Sequence, residues 1–421
     1  MRKTTCWLFA AFVAASCLGD TTVEEMPLAA RASGTTFARD AVQPYVDNGQ
    51  CAGLVSILYN KGVCEVACIG WADREAKRPM TLDSMYMIAS QSKGVCGVAA
   101  AILIEEGKLD LDDPVCKYLP AYSNLTVWAE VKTVDGKTVR TPVRAKNRMT
   151  VRNLLTHTAG FPFESPVKKQ IGWTQVPVKV TAAIGATTPL SYEPGTKFAY
   201  SNFGMDVAAA VVESASGMRI EDFLRVRIFE PLGMKDTTFW PTDEQLARAM
   251  MPYYVGLDRP ARRIEGRPDM PRPYNGPDIF PSLGAGLWSS PRDLVKFYKM
   301  LLNRGIGDNG IRILKAETVR GLLERNQLPE AVAKTAKPYS LGLHIDGDSG
   351  WYGHGGAWTT NCRINPKTNK LKLLAQQISY VWPEEESKPF LEAFYRAQTE
   401  FLKLKPGEDQ SGAAFVGRMT E

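Results

Sequence analysis

Strand-type sequence sits at the two ends of this chain, and helix-type sequence fills most of the space between. Near the amino end, GLVSILY and CEVACIGWA are separated by NKGV, a turn containing Asn60 and Gly62, and read as a β-hairpin. Near the carboxyl end YSLGLHI, GHGGAWTTNCRI and KLKLLAQQI read as strands, the last two joined by NPKTN. The pattern predicts an α+β fold in which one sheet is built from both ends, 35–107 and 282–405, around a mainly helical insertion, 108–281, with a flexible tail at 406–421. Helices are expected at 37–46, from Ser90 to the stop at Gly107, at 151–156, 204–216 and 220–229, and at 388–404. Another is SPRDLVKFYKMLLNRG, with Ser290 as cap, Pro291 in the first turn and Gly305 at the end.

Composition narrows the function. At 44% hydrophobic and 23% charged the chain is neither disordered nor fibrous. A net charge of +6 is too weak a field to argue for nucleic acid. The three histidines, His157, His344 and His354, form no HExxH or paired run, so no metal site or cofactor is implied. Arg2 and Lys3 precede an apolar run too short to span a bilayer, which reads as an export signal over residues 1–19. Cys17 after small residues suits lipoprotein cleavage, and a plain cleavage site equally well. The expected location is therefore periplasmic, extracellular or lipid-tethered, without a transmembrane helix. Cys51, Cys64, Cys68, Cys96, Cys116 and Cys362 are read as buried free thiols. The basic stretches KTVDGKTVRTPVRAKNR and DRPARRIEGRPDMPRPYN are read as solvated loops.

Three short elements carry chemistry. In Ser90-Gln91-Ser92-Lys93 a serine at a helix start has a lysine one turn later on the same face, so the amine can reach the hydroxyl. Ser165 and Lys168 share that spacing with no helix to align them. Ser90, by contrast, follows a strand-like run and opens an Ala-rich helix whose amides favour a developing oxyanion. Tyr200-Ser201-Asn202 lies between the turn Pro194-Gly195 and a helix of small residues, where a loop can present a phenol and an amide inward. Tyr122-Ser123-Asn124 repeats the tripeptide in a poorer setting. Gly353-His354-Gly355-Gly356-Ala357 leads into a strand, with glycines that allow close backbone approach. His157 with Gly347-Asp348-Ser349-Gly350 could be assembled into a His, Asp, Ser order. However, HTAGF follows helical sequence and GDSG is most simply a tight turn. His157 is read as structural, and His344 as a strand-face residue.

In this order, SxxK, YxN and HGG resemble the serine β-lactamase and penicillin-binding-protein group, specifically class C β-lactamase-like hydrolases and family VIII esterases. MYMIASQSKGV, EEGKLDLDDPVCKYLP, MTVRNLLTHTAGFP and LGAGLWSSPRDLVKFYKMLLNRG look like the family too, so the resemblance spans roughly 38–401. It implies a β-lactamase/transpeptidase-like fold with an antiparallel sheet. It makes Ser90 the acylated nucleophile, Lys93 its proton-relay partner and Tyr200 the general base or acid. Asn202, His354, Gly355, Gly356 and Ala357 would bind substrate, and the backbone amides of Ser90 and Ala357 would form the oxyanion hole. A free lysine titrates at about 10.4 and a tyrosine at about 10, so one must be shifted down to act at neutral pH. The sequence leaves open which. Class C β-lactamases usually carry lysine at position 354. A mostly neutral histidine there favours an ester or D-amino-acid peptide substrate. D-Ala-D-Ala carboxypeptidase or D-aminopeptidase action and β-lactamase action are the alternatives. The intact Ser90, Lys93, Tyr200 and Asn202 argue against a non-enzymatic binding or scaffold role.

Overall fold

The computed structural model describes residues 36–128, 132–134, 137–165, 177–256, 259–264, 280–379 and 388–403. The leader, Cys17, Lys168, most of the second basic stretch and the tail lie outside the described residues.

Seven strands form one sheet: β1 (Gly53–Asn60), β2 (Val63–Asp73), β3 (Arg78–Pro79), β4 (His344–Asp346), β5 (Trp351–Gly356), β6 (Thr360–Asn365) and β7 (Lys370–Ala375). Their spatial order is β4-β5-β6-β7-β1-β2-β3, with every pairing antiparallel. The two chain ends join where β1 meets β7, Val55 opposite Ala375 and Tyr59 opposite Leu371. The β1–β2 turn matches its sequence, with Lys61 and Gly62 both at positive φ.

Both faces of the sheet are covered, which is why KLKLLA does not alternate cleanly. Leu54, Ile69 and Leu374 pack with Ala38 and Val42 of α1 (Phe37–Asp47) and Phe394 of the carboxyl-terminal helix. Val55, Ile57, Leu371 and Leu373 face the main core with Val98 and Leu103 of α2 (Ser92–Glu105) and Phe297 and Leu301 of the Pro291–Leu302 helix. Two further helices concern the site, α3 (Val151–Leu155) and α4 (Asn202–Ser216). α2 is buried over most of its length, and its small residues allow close packing. A Cβ on Gly97 would fall 1.8 Å from the Leu341 carbonyl oxygen.

Three local expectations need correction. GHGGAWTTNCRI is two strands, β5 and β6, folded about a turn at 357–359 with Thr359 at φ +60°. YSLGLHI is extended only from His344. Gly342 sits at φ +72° with its backbone against Lys93, where a Cβ would lie 2.1 Å from the Lys93 carbonyl oxygen. Ser90 is not in the helix itself but in a 3₁₀ turn, Ala89–Gln91, immediately before α2. The six cysteines among the described residues are free thiols, and no helix among those residues is long and apolar enough to cross a membrane.

Candidate active site

The turn that carries Ser90 is held from several sides. Ala89 has φ +47°, a left-handed conformation that costs an L-residue roughly 1–2 kcal/mol. Ser92 Oγ donates to the Ala89 carbonyl at 2.7 Å, Ile88 N–H donates to Leu287 O at 3.0 Å, and Gln91 Nε2 donates to Thr360 Oγ1 at 2.6 Å. The end of β5 lies directly against this turn. A Cβ on Gly356 would meet the Ile88 carbonyl oxygen at 2.6 Å and Ala89 Cβ at 3.2 Å. Glycine at 356 therefore brings the turn at Ala357 up to the serine.

Lys93 is fully buried. Its Nζ lies 3.1 Å from Ser90 Oγ, 2.6 Å from Asn202 Oδ1 and 2.5 Å from the Gly284 carbonyl. The Asn202 orientation is set by its other end, since Nδ2 donates to Glu164 Oε1 at 2.9 Å. Two of the three neighbours are thus carbonyl oxygens that only accept. A neutral amine satisfies both with its two hydrogens and turns its lone pair toward the Ser90 hydroxyl. Burial brings the Lys93 amine down to about 7, with Asp206 and Glu164 pulling the other way. At neutral pH the base form is therefore populated.

Tyr200 is half-buried beside this group, with Lys93 Nζ 4.5 Å from its ring centre. Burial raises its phenol above the ordinary value, with a hydrogen bond to Ser90 opposing, so it keeps its proton at neutral pH. Loop 190–202, which delivers it, is stitched along the turn after α3. Ser191 N–H donates to Gly160 O at 2.8 Å, Ala199 N–H to His157 O at 2.9 Å, and Asn202 N–H to Phe163 O at 2.8 Å. Ser201 then caps α4 by accepting from Gly204 N–H at 2.9 Å.

All three histidines of the chain gather here. Ring centres are 4.4 Å apart for His157 and Tyr200, 5.0 Å for His157 and Tyr339, 4.8 Å for Tyr339 and His344, and 4.6 Å for His344 and His354. His354 Nδ1 is 2.5 Å from the Gly355 carbonyl, which can only accept, so this nitrogen carries the proton and Nε2 the lone pair. Burial, Lys93 and Arg363 hold His354 well below the usual histidine range, and it is neutral at pH 7.

Ser90, Lys93, Tyr200, Asn202 and His354 thus converge, with Gly355, Gly356 and Ala357 along the adjoining strand end and turn. The look-alike residues do not join them. Tyr122 donates its hydroxyl to Ala182 O at 2.8 Å in a separate buried turn. Ser349 Oγ is bound to the Asp346 carbonyl at 2.7 Å inside a tight turn. Sequence reasoning missed Glu164, Asp206, Gly284 and Tyr339. Asp206 is buried in α4, accepts from Ser282 Oγ at 2.8 Å and Gly284 N–H at 2.9 Å, and is pushed up to about 7, chiefly by burial. An acidic residue among the apolar and small residues of VAAAVV was the one available cue. His157, expected to be structural, lies against Tyr200.

The chain is similar to known proteins over most of its length. The chain is 27% identical over 381 residues to the lovastatin esterase of Penicillium rubens, covering 80% of this chain and 90% of that one. It is 26% identical over 315 residues to a putative D-alanyl-D-alanine carboxypeptidase of Salmonella typhimurium, 68% of this chain and 67% of that one. Among solved structures it is similar to EstCE1, a hydrolase with promiscuous acyltransferase activity, with a TM-score of 0.66 and 23% identity over 86% of this chain and 97% of that one, a likeness of fold. A sequence model of the Beta-lactamase family matches residues 38–381, and the chain belongs to that family of serine hydrolases.

Proposed function

We propose that this protein is an esterase that forms an acyl-enzyme on Ser90 and releases it to water. Lys93 acts as the base that takes the Ser90 proton, supported by its 3.1 Å separation from Oγ and its lowering to about 7. Ser90 Oγ attacks the ester carbonyl, and the backbone N–H groups of Ser90 and Ala357 receive the oxyanion. Tyr200, protonated at neutral pH, gives its proton to the departing alkoxide.

The preference for a neutral ester rests on the geometry at His354: Nδ1 lies 2.5 Å from the Gly355 carbonyl, which holds the proton there, and burial keeps the imidazole well below the usual histidine range. A penicillin or a D-Ala-D-Ala terminus carries a carboxylate that needs a cation, and an uncharged imidazole does not supply it. Phe163, 41% exposed and stacked on Tyr200, adds an exposed apolar surface beside the phenol that suits an acyl or alkyl group. The carboxypeptidase-like relative supports D-amino-acid peptides as the second reading. The test compares kcat/KM for short-chain p-nitrophenyl esters, nitrocefin and a D-Ala-D-Ala peptide. An ester preference of at least about 10²-fold is expected, and a peptide or nitrocefin preference overturns the reading. The leader-like residues 1–19 support action outside the cytoplasm, which cell fractionation checks.

A further inference from the structure

We infer that Tyr339, oriented by His157, is a positioning residue: it donates to the Nε2 lone pair of His354 and thereby leaves the Tyr200 proton for the leaving group. This rests on the reading of Ser90 and Lys93 as nucleophile and base.

The direction of the hydrogen-bond chain is set independently at both ends. At one end Ser201 N–H, which can only donate, reaches His157 Nδ1 at 3.2 Å. In the neutral imidazole the His157 proton is then on Nε2, which donates to the Tyr339 hydroxyl at 3.0 Å. Burial, with Lys93 and His354 adding to it, keeps His157 neutral. At the other end His354 Nδ1 donates to Gly355 O, so Nε2 accepts. Tyr339, already accepting from His157, gives its own proton to His354 Nε2 at 3.3 Å.

Tyr200 competes for that same nitrogen, its hydroxyl lying 3.4 Å away. Imidazole Nε2 has one lone pair in the ring plane, so two hydroxyls cannot both donate to it well. With Tyr339 in place, the Tyr200 hydroxyl is available on the Ser90 side. Without it, His354 draws the Tyr200 proton away from the reacting centre. In acylation the Ser90 proton passes to Lys93 Nζ, Oγ bonds to the carbonyl carbon, the bond to the alcohol breaks, and the alkoxide takes the Tyr200 proton. The Lys93 ammonium then returns a proton to the phenolate, so each turnover of this step yields acyl-serine and free alcohol with no net proton change.

A p-nitrophenolate departs without a proton at neutral pH, whereas an ethoxide does not, so the ratio of the two rates reads out proton delivery. General acid catalysis is worth roughly 10²–10⁴-fold. In Tyr339→Phe, kcat/KM for an ethyl ester is expected to fall about 10–100-fold relative to the p-nitrophenyl ester of the same acid, which should change by no more than about threefold. Both rates come from one preparation, so a reduced folded fraction cancels in their ratio. An unchanged ratio, or equal losses on both esters, overturns the inference. Should Tyr339→Phe fail to fold, His157→Phe removes the donor that orients Tyr339 and must shift the ratio in the same direction. Fluorophosphonate labelling followed by intact mass separates the two levels. An unlabelled wild type defeats the esterase reading itself, while a labelled Ser90 with an unchanged ratio defeats only the role of Tyr339.

Discussion

Asp206 accepts the backbone N–H of Gly284 at 2.9 Å, and the carbonyl of that same Gly284 faces Lys93 Nζ at 2.5 Å. One buried carboxylate therefore holds an acceptor against the lysine and acts on its charge. A side chain at 284 would break the arrangement, since a Cβ there would lie 2.8 Å from Asn202 Cβ and from the Asn202 carbonyl oxygen.

Replacing Asp206 by Asn keeps the size and an accepting oxygen but removes the charge that raises Lys93. The amine should lose its proton at lower pH, and the acid limb of the kcat/KM profile should move down. Asp206 itself is pushed up to about 7, so the wild-type limb belongs to the pair. A limb that stays put or moves up in Asp206→Asn counts against Lys93 as the base.

The same pair shapes stability. Lys93 sits at about 7 in the fold against 10.5 when free, so between those values the unfolded chain binds more protons and stability rises with pH. Asp206 has the opposite sign between 3.8 and about 7, where the folded chain binds more protons and stability falls as pH rises. Lys93→Met should be more stable than wild type at pH 7, with the advantage shrinking toward pH 10. Chemical denaturation at several pH values measures it, and a constant difference would contradict the burial of a neutral amine.

Ser90→Ala should lower ester turnover by roughly 10³-fold or more and abolish the fluorophosphonate adduct. Ser165→Ala and Tyr122→Phe should stay within a few-fold. Tyr122→Phe loses the bond to Ala182 O, at about 1 kcal/mol, without touching the site. Equal losses at Ser90 and Ser165 would sink the choice of nucleophile.

Gly356→Ala tests the strand end. The added methyl has no room against the Ile88 carbonyl, so β5 must move off the serine turn and carry the Ala357 amide with it. Loss of one oxyanion donor typically costs about 10²–10³-fold in kcat. The expected result is a fall of that order in kcat with KM little changed. A fall confined to KM would argue that this amide binds substrate rather than the oxyanion.

What could be read from residues alone was whatever local spacing dictates. The Lys61–Gly62 turn, the Ser290 cap accepting Asp293 N–H at 3.3 Å, and the serine and lysine one turn apart all depend on neighbours within a few positions. The split of GHGGAWTTNCRI and the late start of β4 were not legible, because both follow from what the backbone meets. Gly342 bends away from strand geometry to lie against Lys93, a residue far off in sequence.

Sequence by itself determined the candidates: a serine with an amine one turn away, a phenol with its amide, and a histidine where class C β-lactamases usually carry lysine. Tertiary structure decided their states. Lys93 reaches about 7 because folding buries it, and Asp206 and Glu164, more than seventy positions away, limit the fall. The His354 tautomer follows from its neighbour Gly355, and its proton donor Tyr339 is oriented by His157 from a distant turn. Protonation and hydrogen-bond direction depend on desolvation and on groups brought together through space, and neither quantity is local along a chain.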